Sequence, residues 1–186
     1  LMLSLILLGS MLTCMAQQPE SFDIDLWPNG LPNTNGIHHE PFDASKRNFK
    51  PSIRVYLPEQ GKGNGKAVLV CPGGGYTFLS EREAEPIALH YVNQGFHACV
   101  LRYGIGEFAM MPGPIQDAAD AMSYIKDHAK EWFVNPDAVF ITGFSAGAHV
   151  AGSLGVFYNN HEVVKGYEDC DDKIRPAGLL LCYPVL

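Results

Sequence analysis

The sequence predicts an α/β domain built on a mainly parallel sheet with crossover helices. Three observations predict it. Residues 66–71 (KAVLVC), 96–101 (FHACVL), 138–142 (AVFIT) and 177–182 are short continuous apolar runs, as expected of strands buried on both faces. The segments between them carry apolar residues at helical spacing or punctuation that opens and closes helices. Strand and helix then alternate, the pattern of a parallel sheet. The last run should be central in such a sheet, so the fold is expected to be incomplete at the C-terminus, with the remainder beyond Leu186.

Taken in order, residues 1–12 are almost wholly apolar, and Thr13, Cys14 and Ala16 follow. The run is too short for a comfortable membrane span. It reads as the apolar region and cleavage site of a signal peptide over 1–16, for a secreted or periplasmic protein. A lipid anchor on Cys14 is the alternative. Residues 17–50, rich in Pro, Asn and Gly, read as an irregular lead-in, and 51–186 as the folded domain. Residues 52–57 (SIRVYL) alternate as a strand does, and 61–65 (GKGNG) form a turn. Pro86 suits the first turn of a helix and Gly95 its end, with Ile87, Ala88, Tyr91 and Val92 on one side. Pro114 opens a second helix whose stripe is Ile115, Ala118, Ala119, Met122, Ile125 and Ala129. Asn135-Pro136-Asp137 is a turn, and 145–157 reads as a helix.

The composition narrows the function. The chain has 186 residues, 47% hydrophobic and 18% charged, with a formal net charge of −7. That is an ordinary globular balance for one domain. No basic stripe marks a nucleic-acid partner. Of five cysteines, Cys71, Cys99 and Cys182 lie in apolar runs, where free Cys acts as a small hydrophobe. Cys14 goes with the signal and Cys170 stands alone in an acidic loop, so no disulfide framework is indicated.

The strongest chemical signal is Gly143-Phe144-Ser145-Ala146-Gly147, directly after the strand 138–142 and opening a helix. That context makes a G-x-S-x-G pattern a nucleophile elbow. The turn is tight enough that Gly143 and Gly147 must lack side chains, and Ser145 stands at its apex. The second signal is Cys71-Pro72-Gly73-Gly74-Gly75-Tyr76, placed where an oxyanion-hole loop belongs. The N–H of Gly74 or Gly75, with that of Ala146, would hold the oxyanion. Tyr76 and Phe78 are candidates for the acyl-pocket wall. A phosphate loop would need a Lys-Ser or Lys-Thr pair or a G-x-G-x-x-G frame, and Tyr76-Thr77 supplies neither.

These blocks, with LRYG at 101–104, PIQDAADAMSYIKDHAKEW at 114–132, NPDAVFITGFSAGAHVAG at 135–152 and LLLCYPV at 179–185, resemble bacterial α/β hydrolases of the acetyl-esterase, acetylxylan-esterase and feruloyl-esterase group. The resemblance covers roughly 50–186, and LWPNG at 26–30 is similar to secreted members that act on plant polysaccharides. Pro72 replaces the His of many relatives, and Ala148 a more usual Gly. The resemblance implies a serine carboxylic-ester hydrolase that forms an acyl-enzyme, with no cofactor and no metal. Its partner would be an ester substrate linked to carbohydrate. Its triad acid and histidine are expected beyond Leu186, because the chain order is Ser, acid, His. The chain as given is therefore expected to be inactive.

His161 and its acidic neighbours fall too early for that order. His149 resembles the His of the family's elbow block and reads as a hydrogen-bonded core residue. His38-His39-Glu40 read as solvated loop, Arg102 and Tyr103 as braces of the elbow, and Asp117 and Asp120 as partners of a helix N-terminus. Another hydrolase on the same scaffold (an arylformamidase or a prolyl-oligopeptidase-like peptidase) stays open, as does a binding scaffold or inert fragment. Nothing in the sequence indicates the oligomeric state.

Overall fold

A computed structural model describes residues 19–27, 51–167 and 171–185. Residues 1–16, read above as a signal peptide, with Cys14, the lead-in residues 28–50 with His38, His39 and Glu40, and Cys170 lie outside them. The described strands are β1 (Ser21–Asp25), β2 (Ser52–Tyr56), β3 (Ala67–Cys71), β4 (His97–Arg102), β5 (Val139–Phe144) and β6 (Leu179–Cys182). They form one sheet in the order β1-β2-β4-β3-β5-β6. The pairs β3–β4, β3–β5 and β5–β6 are parallel, and β1–β2 and β2–β4 antiparallel. The helices are α1 (Glu85–Asn93), α2 (Gly113–Asp127), α3 (Ala146–Phe157) and the short α4 (Asp171–Ile174). A mostly parallel sheet with an antiparallel edge and crossover helices is the α/β-hydrolase arrangement. Among the described residues no helix is long and apolar enough to cross a membrane.

The apolar runs are continuous because both faces of the sheet are covered. Along β3, Ala67, Leu69 and Cys71 enter one core with α2 and α3, and Val68 and Val70 enter the other with α1. Along β4, Cys99 and Leu101 take the first side, and Ala98 and Val100 the second. Successive side chains of a strand point to opposite faces, so a strand covered twice has no polar positions. Cys71 and Cys99 are buried free thiols and Cys182 is a half-buried one, as read. The predicted stripe of α2 is buried throughout.

Three expectations are corrected. The lead-in is not irregular throughout: Ser21–Asp25 pairs antiparallel with β2, placing Phe22 opposite Val55 and Ile24 opposite Ile53. Its alternation was hidden by Ser and Asp on the solvent side, residues poor in strand propensity. Arg102 does not brace the elbow: it faces β1 and bonds Asp23 at 3.3 Å. Asp117 and Asp120 do not serve the N-terminus of α2. Asp117 is buried and accepts from the indole N–H of Trp27 at 2.8 Å and the N–H of Gly104 at 2.9 Å. Asp120 accepts from the N–H of Trp27 and the hydroxyl of Tyr167. The two carboxylates thus dock the strap that follows β1. β6 lies at an edge of the described sheet, with Leu179, Leu180 and Leu181 each 40% exposed or more.

Candidate active site

The site is built where β5 turns into α3. A Cβ on Gly143 would lie 2.3 Å from the carbonyl oxygen of Gly147, and one on Gly147 would lie 2.0 Å from that of Cys71. Both positions therefore exclude a side chain, as the elbow demands. Ser145 caps α3 with φ 51° and ψ −117°, a conformation in which a non-glycine residue is strained by order 1–3 kcal/mol. The strain is held by backbone bonds on both sides. The N–H of Ser145 donates to the Cys182 carbonyl at 3.0 Å, and the Ser145 carbonyl accepts from the N–H of His149 at 3.1 Å. Such a residue projects its side chain from the sheet, above the positive end of the following helix.

The glycine loop after β3 lies against the nucleophile. A Cβ on Gly73 would sit 3.1 Å from Ser145 Cβ and 2.7 Å from the Phe144 carbonyl oxygen. The Pro72 carbonyl accepts from the buried Tyr103 hydroxyl at 2.6 Å. The Gly73 N–H donates to Glu83 Oε2 at 2.8 Å. The Gly73 carbonyl accepts from the N–H of Ser80, and the Gly74 carbonyl from the N–H groups of Thr77 and Phe78. Planar trans peptides place N–H opposite C=O. The N–H groups of Gly74 and Gly75 therefore point away from the 77–80 turn, and among the described residues nothing accepts from them. Gly74 has φ 134°, and its Cβ would lie 2.0 Å from the Phe78 carbonyl oxygen, so this position too requires glycine.

Tyr76 and His149 join the loop to the elbow helix. The Tyr76 hydroxyl lies 2.6 Å from His149 Nδ1, and the Tyr76 ring meets the edges of Tyr103 and His149 at 5.9 and 6.0 Å. The Tyr76 carbonyl accepts from the N–H of Gly106 at 2.7 Å. Burial, aided by the neighbouring Cys71, pushes the Tyr76 phenol up to about 12, so it keeps its proton at neutral pH. His149 is hydrogen-bonded as read but half-buried rather than core. Tyr103 braces the glycine loop through Pro72. Phe78 is 58% exposed, and its backbone oxygen, not its ring, abuts Gly74.

Among the described residues no side chain hydrogen-bonds the Ser145 hydroxyl. His161 instead pairs with Asp171 at 3.0 Å. No group of three or more potential metal ligands occurs among the described residues. Two site residues escaped the sequence: Glu83, which takes the Gly73 N–H, and Tyr183, whose hydroxyl donates to Glu83 Oε1 at 2.5 Å. The arrangement offers a strained serine beside a loop whose Gly74 and Gly75 N–H groups are unengaged among the described residues, parts suited to attack a carbonyl and hold the oxyanion.

The family model described as BD-FAE matches residues 53–176. Endo-1,4-beta-xylanase B of Butyrivibrio fibrisolvens is 33% identical over 141 residues, 74% of this chain and 22% of that protein. Acetylxylan esterase of Xylanibacter ruminicola is 31% identical over 140 residues, 74% of this chain and 26% of that protein. The chain thus spans about a quarter of the length of these curated relatives. The crystal structure of an acetyl ester-xyloside bifunctional hydrolase from Caldicellulosiruptor lactoaceticus superposes with a TM-score of 0.68 at 29% identity, covering 91% of this chain and 59% of that one.

Proposed function

The chain belongs to the BD-FAE family of α/β hydrolases, and we propose that it carries the nucleophile and oxyanion loop of a serine carboxylic-ester hydrolase. The observation that carries this reading is the backbone of Ser145, at φ 51° on the apex between β5 and α3 with the glycine loop against it. The Ser145 oxygen attacks the ester carbonyl and gives its proton to a histidine supplied from outside the described residues. The carbonyl electrons move onto the oxygen, where the N–H of Ala146 and of Gly74 or Gly75 receive the charge. The carbon–oxygen bond to the alcohol breaks, and the alcohol leaves with the histidine's proton. Water then frees the acid and restores Ser145.

The substrate we propose is an acetyl or hydroxycinnamoyl ester on a plant polysaccharide or its oligosaccharides. Support comes from the relatives, whose names include an acetylxylan esterase and an acetyl ester-xyloside hydrolase. The apolar segment 1–12, read as a secretion signal, supports action outside the cytoplasm, where such polymers are met. In the full-length protein a fluorophosphonate should label Ser145, and Ser145→Ala should abolish labelling and p-nitrophenyl acetate hydrolysis. Unchanged turnover in that variant refutes the assignment. Acetate or ferulate release from xylan oligosaccharides should exceed, in kcat/KM, cleavage of N-formylkynurenine and prolyl peptides; the reverse order refutes the substrate class.

A further inference from the structure

The peptide group between Pro72 and Gly73 is held on both edges. Its carbonyl accepts from Tyr103 at 2.6 Å, and its N–H donates to Glu83 at 2.8 Å. Rotation of this plane is the freedom a Gly-Gly-Gly loop leaves open, and it is the plane next to the Gly73–Gly74 peptide that aims one oxyanion donor. The second oxygen of Glu83 accepts from Tyr183 at 2.5 Å. Tyr183 follows Cys182, whose carbonyl accepts from the N–H of Ser145 at 3.0 Å. One side chain therefore spans from the oxyanion loop to the segment that holds the nucleophile's backbone. A Cβ on Gly73 would come 2.8 Å from Glu83 Oε2 and 3.1 Å from Ser145 Cβ, so the carboxylate stands close to the reacting centre yet has both oxygens engaged away from it.

We infer that Glu83 is a positioning residue for acyl transfer at Ser145, holding the oxyanion donors in register with the nucleophile through Gly73 and Tyr183. The inference rests on the esterase reading. Charge is not what the position requires, since a negative group near a developing oxyanion opposes it. Reach and two-sided hydrogen bonding are. Glutamine supplies both: its amide oxygen can accept from Gly73, and its amide N–H can donate to the Tyr183 oxygen. Aspartate keeps the charge and loses a methylene of reach.

The test compares Glu83→Gln and Glu83→Asp in the full-length protein, with p-nitrophenyl acetate kinetics and thermal midpoints. Losing an oxyanion donor outright costs on the order of 10²–10³ in kcat, and a misaimed donor should cost less. Glu83→Asp should therefore lower kcat by about 10–100-fold, with KM within about threefold, because the donors act on the transition state. Glu83→Gln should stay within about fivefold of wild type, since it keeps both bonds. A kcat in Glu83→Asp equal to or above that of Glu83→Gln overturns the inference, as does a loss carried by KM alone. Ser145→Ala in the same assay separates the two levels. Inactive wild-type protein overturns the esterase reading and this inference together. Active wild type with an unaffected Glu83→Asp overturns this inference alone.

Discussion

Gly147→Ala sets two effects of opposite sign against each other. Gly147 lies in the first turn of α3, and an Ala there should gain about 1 kcal/mol in helix propensity. The site says otherwise. The new Cβ would meet the Cys71 carbonyl oxygen at 2.0 Å, the Pro72 carbonyl oxygen at 2.4 Å and the Cys71 carbonyl carbon at 2.6 Å, where real Cβ contacts essentially never fall below 3.0 Å. All three are backbone atoms, and Cys71 is fixed by its register with Gly143 on β5. No rotamer change relieves them, so α3 must lift from the sheet by about an ångström. A gap of that size forfeits a quarter to a half of the affected dispersion contacts, here those of Ala148, Val150, Ala151 and Leu154, all buried. Overpacking of this kind costs 1–3 kcal/mol, occasionally more, and the rigid neighbours put this case at about 3 kcal/mol. With a urea m-value of about 2 kcal/mol/M, the unfolding midpoint should fall by roughly 1.5 M. Fluorophosphonate labelling of Ser145 should fall too, because the elbow moves with the helix. A midpoint within about 0.3 M of wild type, with labelling retained, would refute the steric argument.

Three further substitutions test the contacts of Tyr76 with His149 and of Asp117 with its strap. Tyr76→Phe and His149→Ala each remove the bond joining the loop to α3, so each should cost about 1 kcal/mol and slow labelling several-fold. The double variant should be little worse than either single one in a double-mutant cycle; strict additivity would refute the coupling. Burial raises the Asp117 carboxyl from 3.8 to about 7, against the lowering effect of its bonds from Gly104 and Trp27. The folded state thus binds this proton more tightly than the unfolded one. Its contribution to stability is present in full below about pH 4 and is lost as pH rises through about 7, with a slope of at most about 1.4 kcal/mol per pH unit. Asp117→Asn should flatten the stability profile between pH 4 and 7 as read by urea unfolding, and an unchanged slope would refute the assignment.

The parts of this molecule that were legible in the sequence are those whose causes are local. The 67–71 run could be read because a strand covered on both faces has no polar position to obscure it. The elbow could be read because its steric conflict lies between Gly143 and Gly147, four residues apart, and next to the end of β3. β1 was not legible: only Phe22 and Ile24 face inward, and what makes them a strand is Val55 and Ile53, some 30 residues away. Asp117 and Asp120 had an adequate local account in the helix dipole, yet each accepts from Trp27, about 90 residues earlier, beside one nearer donor, Gly104 for Asp117 and Tyr167 for Asp120. The same distinction divides the site itself. Residue type at Ser145 and in the glycine loop follows from chemistry that any such turn would need. The direction of each N–H does not, because Tyr103, Glu83 and Tyr183 set it from other elements. A serine and three glycines thus establish that the chemistry can be attempted; the planes that would make it fast are set by Tyr103, Glu83 and Tyr183, whose partners lie on other elements and cannot be read from their own neighbours in sequence.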